Sequence, residues 1–282
     1  MLLLSTIALR PYVLIFLLVY IVGCTLHLGL KRTILFAIAG YLLAWLSELS
    51  SIHNGFPYGS YYYIEHTRGQ EIWVLGVPLM DSISYIFLAY ASYSLALLVM
   101  SPIQRSSWLI YVLETGNARN SKKTALLGAL MLVYLDIIID PVALQGNRWF
   151  LGQIYGYEVP GIYFGVPISN FIGWFVVGFL MIVVLQAIDA RLRQNGIVDY
   201  YGHKYPWRYV IGPMLYLGVL VFNLAVTFYI SEYMLGWVGV FVALLPGVLI
   251  YTIIRLKLDA EGLEKARDAH LRDFPQAVLP RP

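Results

Sequence analysis

The sequence holds a single cysteine, Cys24, in 282 residues. That excludes an intramolecular disulfide and a cysteine-built metal site, and leaves the redox compartment open. Charge is equally scarce: Asp, Glu, Lys and Arg supply 12% of the chain against 60% hydrophobic side chains, with a mean hydropathy of +0.71. Such a balance is far too apolar for a soluble domain and matches a multi-spanning helical membrane protein. No phosphate loop or dinucleotide fingerprint occurs, so energy-coupled and hydride-transfer roles have no support. The histidines His27, His53, His66, His203 and His270 form no closely spaced pair on a helix, which removes the ligands of a histidine-rich di-iron hydroxylase or desaturase. His53, Glu65 and His66 are the one grouping left for a metal, and no metal or other cofactor is expected. The last apolar run has no lysine at mid-depth, since Lys257 lies at its end, so a retinal-type Schiff base is excluded. The net charge of +3 does not point to nucleic acid.

What the chain has in abundance is apolar runs of the roughly 20 residues needed to cross a hydrocarbon core of about 30 Å. They lie near Pro11–Leu30, Thr33–Ile52, Val77–Met100, Thr124–Leu144, Val166–Ala187, Tyr209–Ile230 and Gly236–Ile254. The expectation is an all-α polytopic bundle of about seven transmembrane helices over residues 1–256, with an uncleaved first span and a charged tail over 257–282. The tail reads as helical up to Phe274 and mobile beyond. Trp108–Leu113, apolar but too short to cross, is expected to lie along the interface. With seven spans, Arg10, Arg68 and Arg148 fall on one side. Ten cations fall on the other even when the tail is ignored. The positive-inside rule then puts the N-terminus outside the cell inner membrane and the C-terminus in the cytoplasm.

In this arrangement Glu48, Asp81, Asp136, Asp140 and Glu232 all sit near span ends on the non-cytoplasmic side. Glu48 and Asp136 lie deepest, whereas Glu232 reads equally well as a residue merely reaching the interface. A carboxylate inside a span costs about 2.5–3.5 kcal/mol on insertion scales, so such residues face a bundle interior or a wet cavity. An internal repeat groups them. Gly76-Val-Pro-Leu-Met-Asp81 matches Gly165-Val-Pro-Ile-Ser-Asn170, each block following an aromatic, Gly-rich loop that is itself preceded by an acid. Glu48 to Asp81 is 33 residues and Asp136 to Asn170 is 34. The second and third spans, and the fourth and fifth, therefore read as two copies of one unit whose polar ends surround a shared cavity.

Asp136 and Asp140, four apart, share a helix face. Pro141 biases Asp140 out of helical geometry, which places the helix end there. The pair lies at the negative end of the macrodipole, close together and in apolar surroundings, three factors that favour a neutral acid. Asp81, in a first helical turn, faces the opposite field and reads as an anion. Environments that push two carboxyls apart are what acid–base work needs. The bland reading is a buried pair satisfied by Asn170, a tyrosine or Arg148. Rings crowd the two loops: Phe56, Tyr58, Tyr61, Tyr62, Tyr63 and Trp73 in one, and Trp149, Phe150, Tyr155, Tyr157, Tyr163 and Phe164 in the other. Any one of them can belong to an interfacial belt, but ring faces also stabilise a cation in a dry pocket. An acid beside aromatic walls suits protonation of an alkene.

Asn54-Gly-Phe-Pro-Tyr-Gly-Ser-Tyr61, Gly76-Val-Pro-Leu79, Asp136-x-x-x-Asp-Pro141 and Tyr163-Phe-Gly-Val-Pro-Ile-Ser-Asn-Phe-Ile-Gly-Trp174 resemble the integral-membrane carotenoid hydratase family, over roughly Ala44 to Gly178. That family includes the hydratases of bacterioruberin synthesis and those acting on gamma-carotene and lycopene. The resemblance implies a hydro-lyase of the carotenoid 1,2-hydratase type, adding water to the terminal double bond of an acyclic end group to give a tertiary alcohol without a cofactor. Its partners are then the carotenoid, water and membrane lipid. Asp136 or Asp140 is expected to protonate the alkene, and Asp81 or Glu48 with Asn170 to position the water. Tyr58, Tyr61, Trp73, Trp149, Tyr163, Phe164 and Trp174 are expected to contact substrate. Two alternatives stay open: a membrane prenyltransferase with magnesium and diphosphate at Asp136 and Asp140, and a carotenoid-binding or transport protein without turnover. Oligomeric state cannot be read from the sequence.

Overall fold

The computed structural model describes residues 1–106, 109–149, 152, 154–197, 205, 207–258, 260 and 262–280. Among these, seven helices are long and apolar enough to cross a membrane: α2 (Pro11–Leu28), α3 (Leu30–Asn54), α4 (Leu79–Met100), α6 (Lys122–Ala143), α7 (Ile168–Gln194), α8 (Arg208–Tyr229) and α9 (Tyr233–Leu258). They are the seven expected spans. A short α1 (Leu2–Leu9) precedes them, and Pro11 opens α2 at a position where its missing N–H costs nothing. Two further helices, α5 (Gly116–Arg119) and α10 (Glu264–Asp273), lie at the end of the bundle that carries the C-terminal tail, called here the tail face; the opposite end is the loop face.

Burial ranks the spans. Of the apolar window of α4, 78% is buried, so this helix forms the centre; for α9 the figure is 6%, so nearly all of it faces outward. Around α4 pack α2, α3, α6, α7 and α8. α6 ends at Ala143, about where expected, although Asp140 and Pro141 themselves remain within the helix. In a last turn, proline removes only a hydrogen bond that is close to the frayed end. The side chain of Asp140 is meanwhile anchored from three directions, as described below.

The loop face is built from the two copies of the repeat. The loop after α3 contains β1 (Tyr61–Tyr63), then β2 (Trp73–Val74) and β3 (Val77–Pro78); the loop after α6 contains β6 (Tyr155–Tyr157). β2 and β3 form a hairpin whose two-residue turn, Leu75 and Gly76, has φ of 49° and 87°. The second copy repeats it: Tyr163 pairs with Val166 across Phe164 and Gly165, at φ 48° and 88°. Positive φ at both central residues is the I′ pattern, and the glycine carries the more extreme torsion. A proline then caps each following helix, Pro78 before α4 and Pro167 before α7. The copies join through β1 and β6, antiparallel, with Tyr61 opposite Tyr157 and Tyr63 opposite Tyr155.

On the tail face the segment expected along the interface forms a hairpin of β4 (Ile103–Ser106) and β5 (Leu109–Val112). Trp108 falls outside the described residues, as do Phe150, His203 and Lys204. β-Branched and aromatic residues at Ile110, Tyr111 and Val112 suit a strand, and the run is too short for a stable surface helix. The tail docks against this hairpin. His270 and Phe274 are buried, His270 Nδ1 donates to the Glu114 carbonyl at 2.6 Å, and Arg267 donates to Gln104.

Candidate active site

Asp136 and Asp140 lie one turn apart on α6, buried and directed at the first turn of α7. There Asn170 bridges them, with Nδ2 donating to Asp136 Oδ2 at 2.9 Å and to Asp140 Oδ2 at 2.8 Å. Both amide hydrogens are thereby used, and only the carbonyl oxygen of Asn170 is left for a water. Two hydroxyls complete Asp140: Tyr155 donates to Oδ1 at 2.6 Å and Tyr157 to Oδ2 at 2.7 Å. Burial, followed by the neighbouring Asp140 carboxyl, pushes both phenols well above their usual range, so they remain hydroxyl donors. Asp136 lacks such a complement. Its Oδ1 has no partner among the described residues.

The first repeat copy builds a related group. Glu48, near the end of α3, accepts from Tyr63 at 2.9 Å and from Ser82. Glu48 and Ser82 are 34 residues apart, the separation of Asp136 and Asn170. Ser82, rather than Asp81, is thus the contact that corresponds to Asn170. Asp81, one residue earlier, turns to a cation: Arg10 donates to Asp81 Oδ1 at 2.8 Å and to Glu71 Oε1 at 2.6 Å. Arg10 is buried at the break between α1 and α2, where the chain turns from one helix axis to the next.

A cavity of about 150 Å³ joins these groups. Glu48, Asp81, Asp140 and Asn170 line it, and so do Tyr58, Tyr61, Trp149 and Trp174. Trp174 stacks on Tyr85 at 4.3 Å and 4° between planes. Gly173 leaves room for Tyr58 and Pro57, because a Cβ there would come within 2.5 Å of the Tyr58 ring and 2.7 Å of the Pro57 carbonyl oxygen. Asp136 lies behind the wall, reached through Asn170. Trp73, Tyr163 and Phe164 are not lining residues: Trp73 packs edge-on against Tyr63 at 5.9 Å, Tyr163 against Phe171 at 5.8 Å, and Phe164 holds the hairpin turn. Glu232 pairs with Arg148 at the partly exposed rim.

Sequence reasoning missed Arg10, Glu71 and Ser82; it allowed Asn170 and a tyrosine as partners of the aspartate pair, as found at Asp140, without singling out Tyr155 or Tyr157, and it counted Tyr63 only as a ring. Arg10 had one usable signal: it is the only cation before a run that is otherwise apolar. The tyrosines had another, the period-two spacing of Tyr155 and Tyr157, which places both side chains on one face of a strand.

The polar half of the cavity thus offers Asp140, tied through Asn170 to Asp136 behind it, Glu48, a carboxylate held by a guanidinium, and several tyrosines. Its other half is apolar: Val13, Phe16, Phe87, Leu88, Ile139, Val219 and Phe222. Such a chamber can hold a hydrocarbon end group against proton donors and acceptors. The family of carotenoid biosynthesis proteins matches residues 2–250. No curated protein and no solved structure matches the chain. The chain belongs to the carotenoid biosynthesis protein family.

Proposed function

We propose that this member of the carotenoid biosynthesis family is a hydratase, adding water to the terminal double bond of an acyclic carotenoid end group. The observation that carries the reading is the two-sided cavity, with Asp140, Asn170, Glu48 and Asp81 on one side and hydrocarbon and ring surfaces on the other. The Asp136/Asp140 pair carries one proton. It rests on Asp136, whose Oδ1 has no partner among the described residues, while Asp140 accepts three hydrogen bonds. It reaches the alkene by way of Asp140, the member at the cavity wall. The π electrons of the alkene form the new C–H bond at the less substituted carbon and leave a tertiary cation, which faces Tyr61, Tyr85 and Trp174. Water then attacks the cation. Its surplus proton passes to Asp81 or Glu48 and returns from there to the aspartate pair, so the proton gained from water replaces the one given up and no oxidant or reductant takes part.

Arg10 fixes the accepting side in place, because its guanidinium donates to Asp81 at 2.8 Å and to Glu71 at 2.6 Å. Asn170 holds the two acids together and turns only its carbonyl to the water. The site is proposed to open on the non-cytoplasmic side of the inner membrane, as the distribution of cations implies. A carotenoid is roughly as long as the hydrocarbon core is thick, about 30 Å, so a molecule standing in the bilayer brings one end to this depth.

Incubation of the purified protein with lycopene in water enriched in heavy oxygen tests the reading. Label in a tertiary alcohol product is expected. Elongation that depends on magnesium and a prenyl diphosphate would replace the proposal by a transferase. Pigment that stays bound and unchanged would replace it by a carrier.

A further inference from the structure

The apolar half of the cavity is walled by a connected set of rings that acid–base chemistry does not require. Tyr12 and Phe16 come from α2, Phe87 from α4, Phe222 from α8 and Trp149 from the loop, and all five line the cavity. Tyr12 stacks on Phe222 at 5.2 Å, Phe16 meets Phe222 at 5.7 Å and Phe87 at 5.7 Å, and Tyr12 lies 6.0 Å from Trp149. Tyr12, Phe16 and Phe222 are only half-buried, although their other faces line the cavity, and their neighbours Ile15, Leu18, Leu217 and Val221 are exposed. The rings therefore stand where the seam between α2 and α8 meets lipid. Phe16 lies six residues past Arg10, about 9 Å deeper along a helix, within the hydrocarbon.

Beside Phe16 the seam contains a notch. Gly218 is exposed on α8, and a Cβ there would meet nothing closer than Phe16 Cε1 at 3.9 Å. The size of the chamber gives this notch a use. A cavity of about 150 Å³ is of the size that admits benzene into an apolar protein interior, room for an end group and not for a chain about 30 Å long. If the substrate is a carotenoid with the terminal alkene of the proposed reaction, on which this step rests, the rest of the chain must leave the chamber sideways.

We propose that the α2–α8 seam is a lateral portal for the conjugated polyene, with Phe16 and Phe222 as its jambs and Gly218 as the gap over which the chain passes into lipid. Flat rings suit the flat faces of a polyene, and the absent side chain at Gly218 lets the chain lie close to the helix backbone. The portal admits one end at a time. A substrate with two acyclic ends must therefore be released and bind again in the reverse sense before its second end can react.

The test uses the full-length protein in lipid nanodiscs with lycopene. Gly218→Phe fills the notch from a position that faces lipid, so the fold is retained, and Leu217→Phe, at the exposed neighbouring position outside the notch, is the control. Gly218→Phe is expected to raise both Kd, read from quenching of tryptophan fluorescence, and KM by about tenfold or more, the scale of steric exclusion from an apolar site. The turnover rate at saturation and the melting temperature should stay near wild type, and Leu217→Phe should match wild type throughout. Independently, Gly218→Cys should be protected by lycopene from a lipid-soluble thiol reagent, whereas Leu217→Cys should not. If lycopene protects Gly218→Cys but wild type adds no water, the reaction is wrong and the portal stands. If wild type hydrates lycopene while Gly218→Phe leaves Kd and KM unchanged, or Gly218→Cys is labelled equally with and without pigment, the portal is wrong.

Discussion

Asp136 and Asp140 are tied by a single amide, and that arrangement gives each a different exposure to change. Replacing either by Asn keeps its size and hydrogen-bonding capacity but removes the transferable proton, and general acid catalysis is typically worth about 10²–10⁴-fold. Asp136→Asn and Asp140→Asn are each expected to lower hydration by about that factor at normal abundance in the membrane, measured as product per unit of protein. Wild-type rates in both would make the pair structural and turn attention to Glu48. Arg10 is different in kind. It is buried between Glu71 and Asp81, so Arg10→Met strands a negative charge without its partner, a change that costs about 3–5 kcal/mol. A lowered melting temperature in detergent is expected, with partial recovery in Arg10→Met/Glu71→Gln. An unchanged melting temperature in the single variant would show that the network carries no stability. At this scale the sequence was legible where spacing encodes geometry: i, i+4 placed the two aspartates together, and the repeat placed Asn170 opposite them. Arg10 was not legible, because a lone cation ahead of a span looks like an ordinary flank until the break between α1 and α2 turns it inward.

Among the elements, the spans could be read directly, since hydropathy over some 20 residues is a strong signal. The duplicated hairpins could be read only as a motif. What the motif could not convey is that Leu75 and Phe164 share a left-handed backbone with the glycines that follow them, or that β1 and β6, three residues each and far apart in the chain, pair across the copies. Such short non-local pairings leave almost no periodicity to detect. The tail was a similar case. Its helical character was readable but its docking was not, because the partner is Glu114, a polar residue between hairpin and helix. Glu114 is buried, which raises its carboxyl pKa, yet His27 at 2.8 Å and Arg119 at 2.8 Å outweigh burial and hold it well below the usual range. A depressed carboxyl contributes stability that is complete above the unfolded value of about 4.3 and is lost as pH falls towards the folded one. The fold should thus lose this contribution below about pH 4, and Glu114→Gln should remove that dependence. The tail contact itself is made to the Glu114 carbonyl by His270, whose imidazole is pushed by burial below its usual 6.5, so docking should be complete above about pH 6.5 and weaken as pH falls below it. Proteolysis of the tail as a function of pH measures this, and a transition left unmoved in His270→Gln would contradict the assignment.

Over the whole molecule, the two faces of the bundle differ in how their cations are used. On the loop face, Arg10 pairs with Glu71 and Asp81, Arg68 with Glu65, and Arg148 with Glu232. On the tail face, Arg32, Arg119 and Arg193 converge on Asp189, so the surplus of positive charge lies there. Orientation follows Lys and Arg in short loops and depends little on acids, so the ion pairs leave the proposed orientation unchanged, with the loop face outward and the tail face in the cytoplasm. The molecule lends itself to a direct test, because its native thiol, Cys24, is buried and silent, while Asn147 on the loop face and Gln276 in the tail are exposed. Asn147→Cys should react with an impermeant reagent in intact cells, and Gln276→Cys only after permeabilisation. The reverse pattern would put the acid cavity on the cytoplasmic side. The proton and water of the proposed reaction would then come from the cytoplasm, and a carotenoid made in the membrane would meet the enzyme from the inner leaflet.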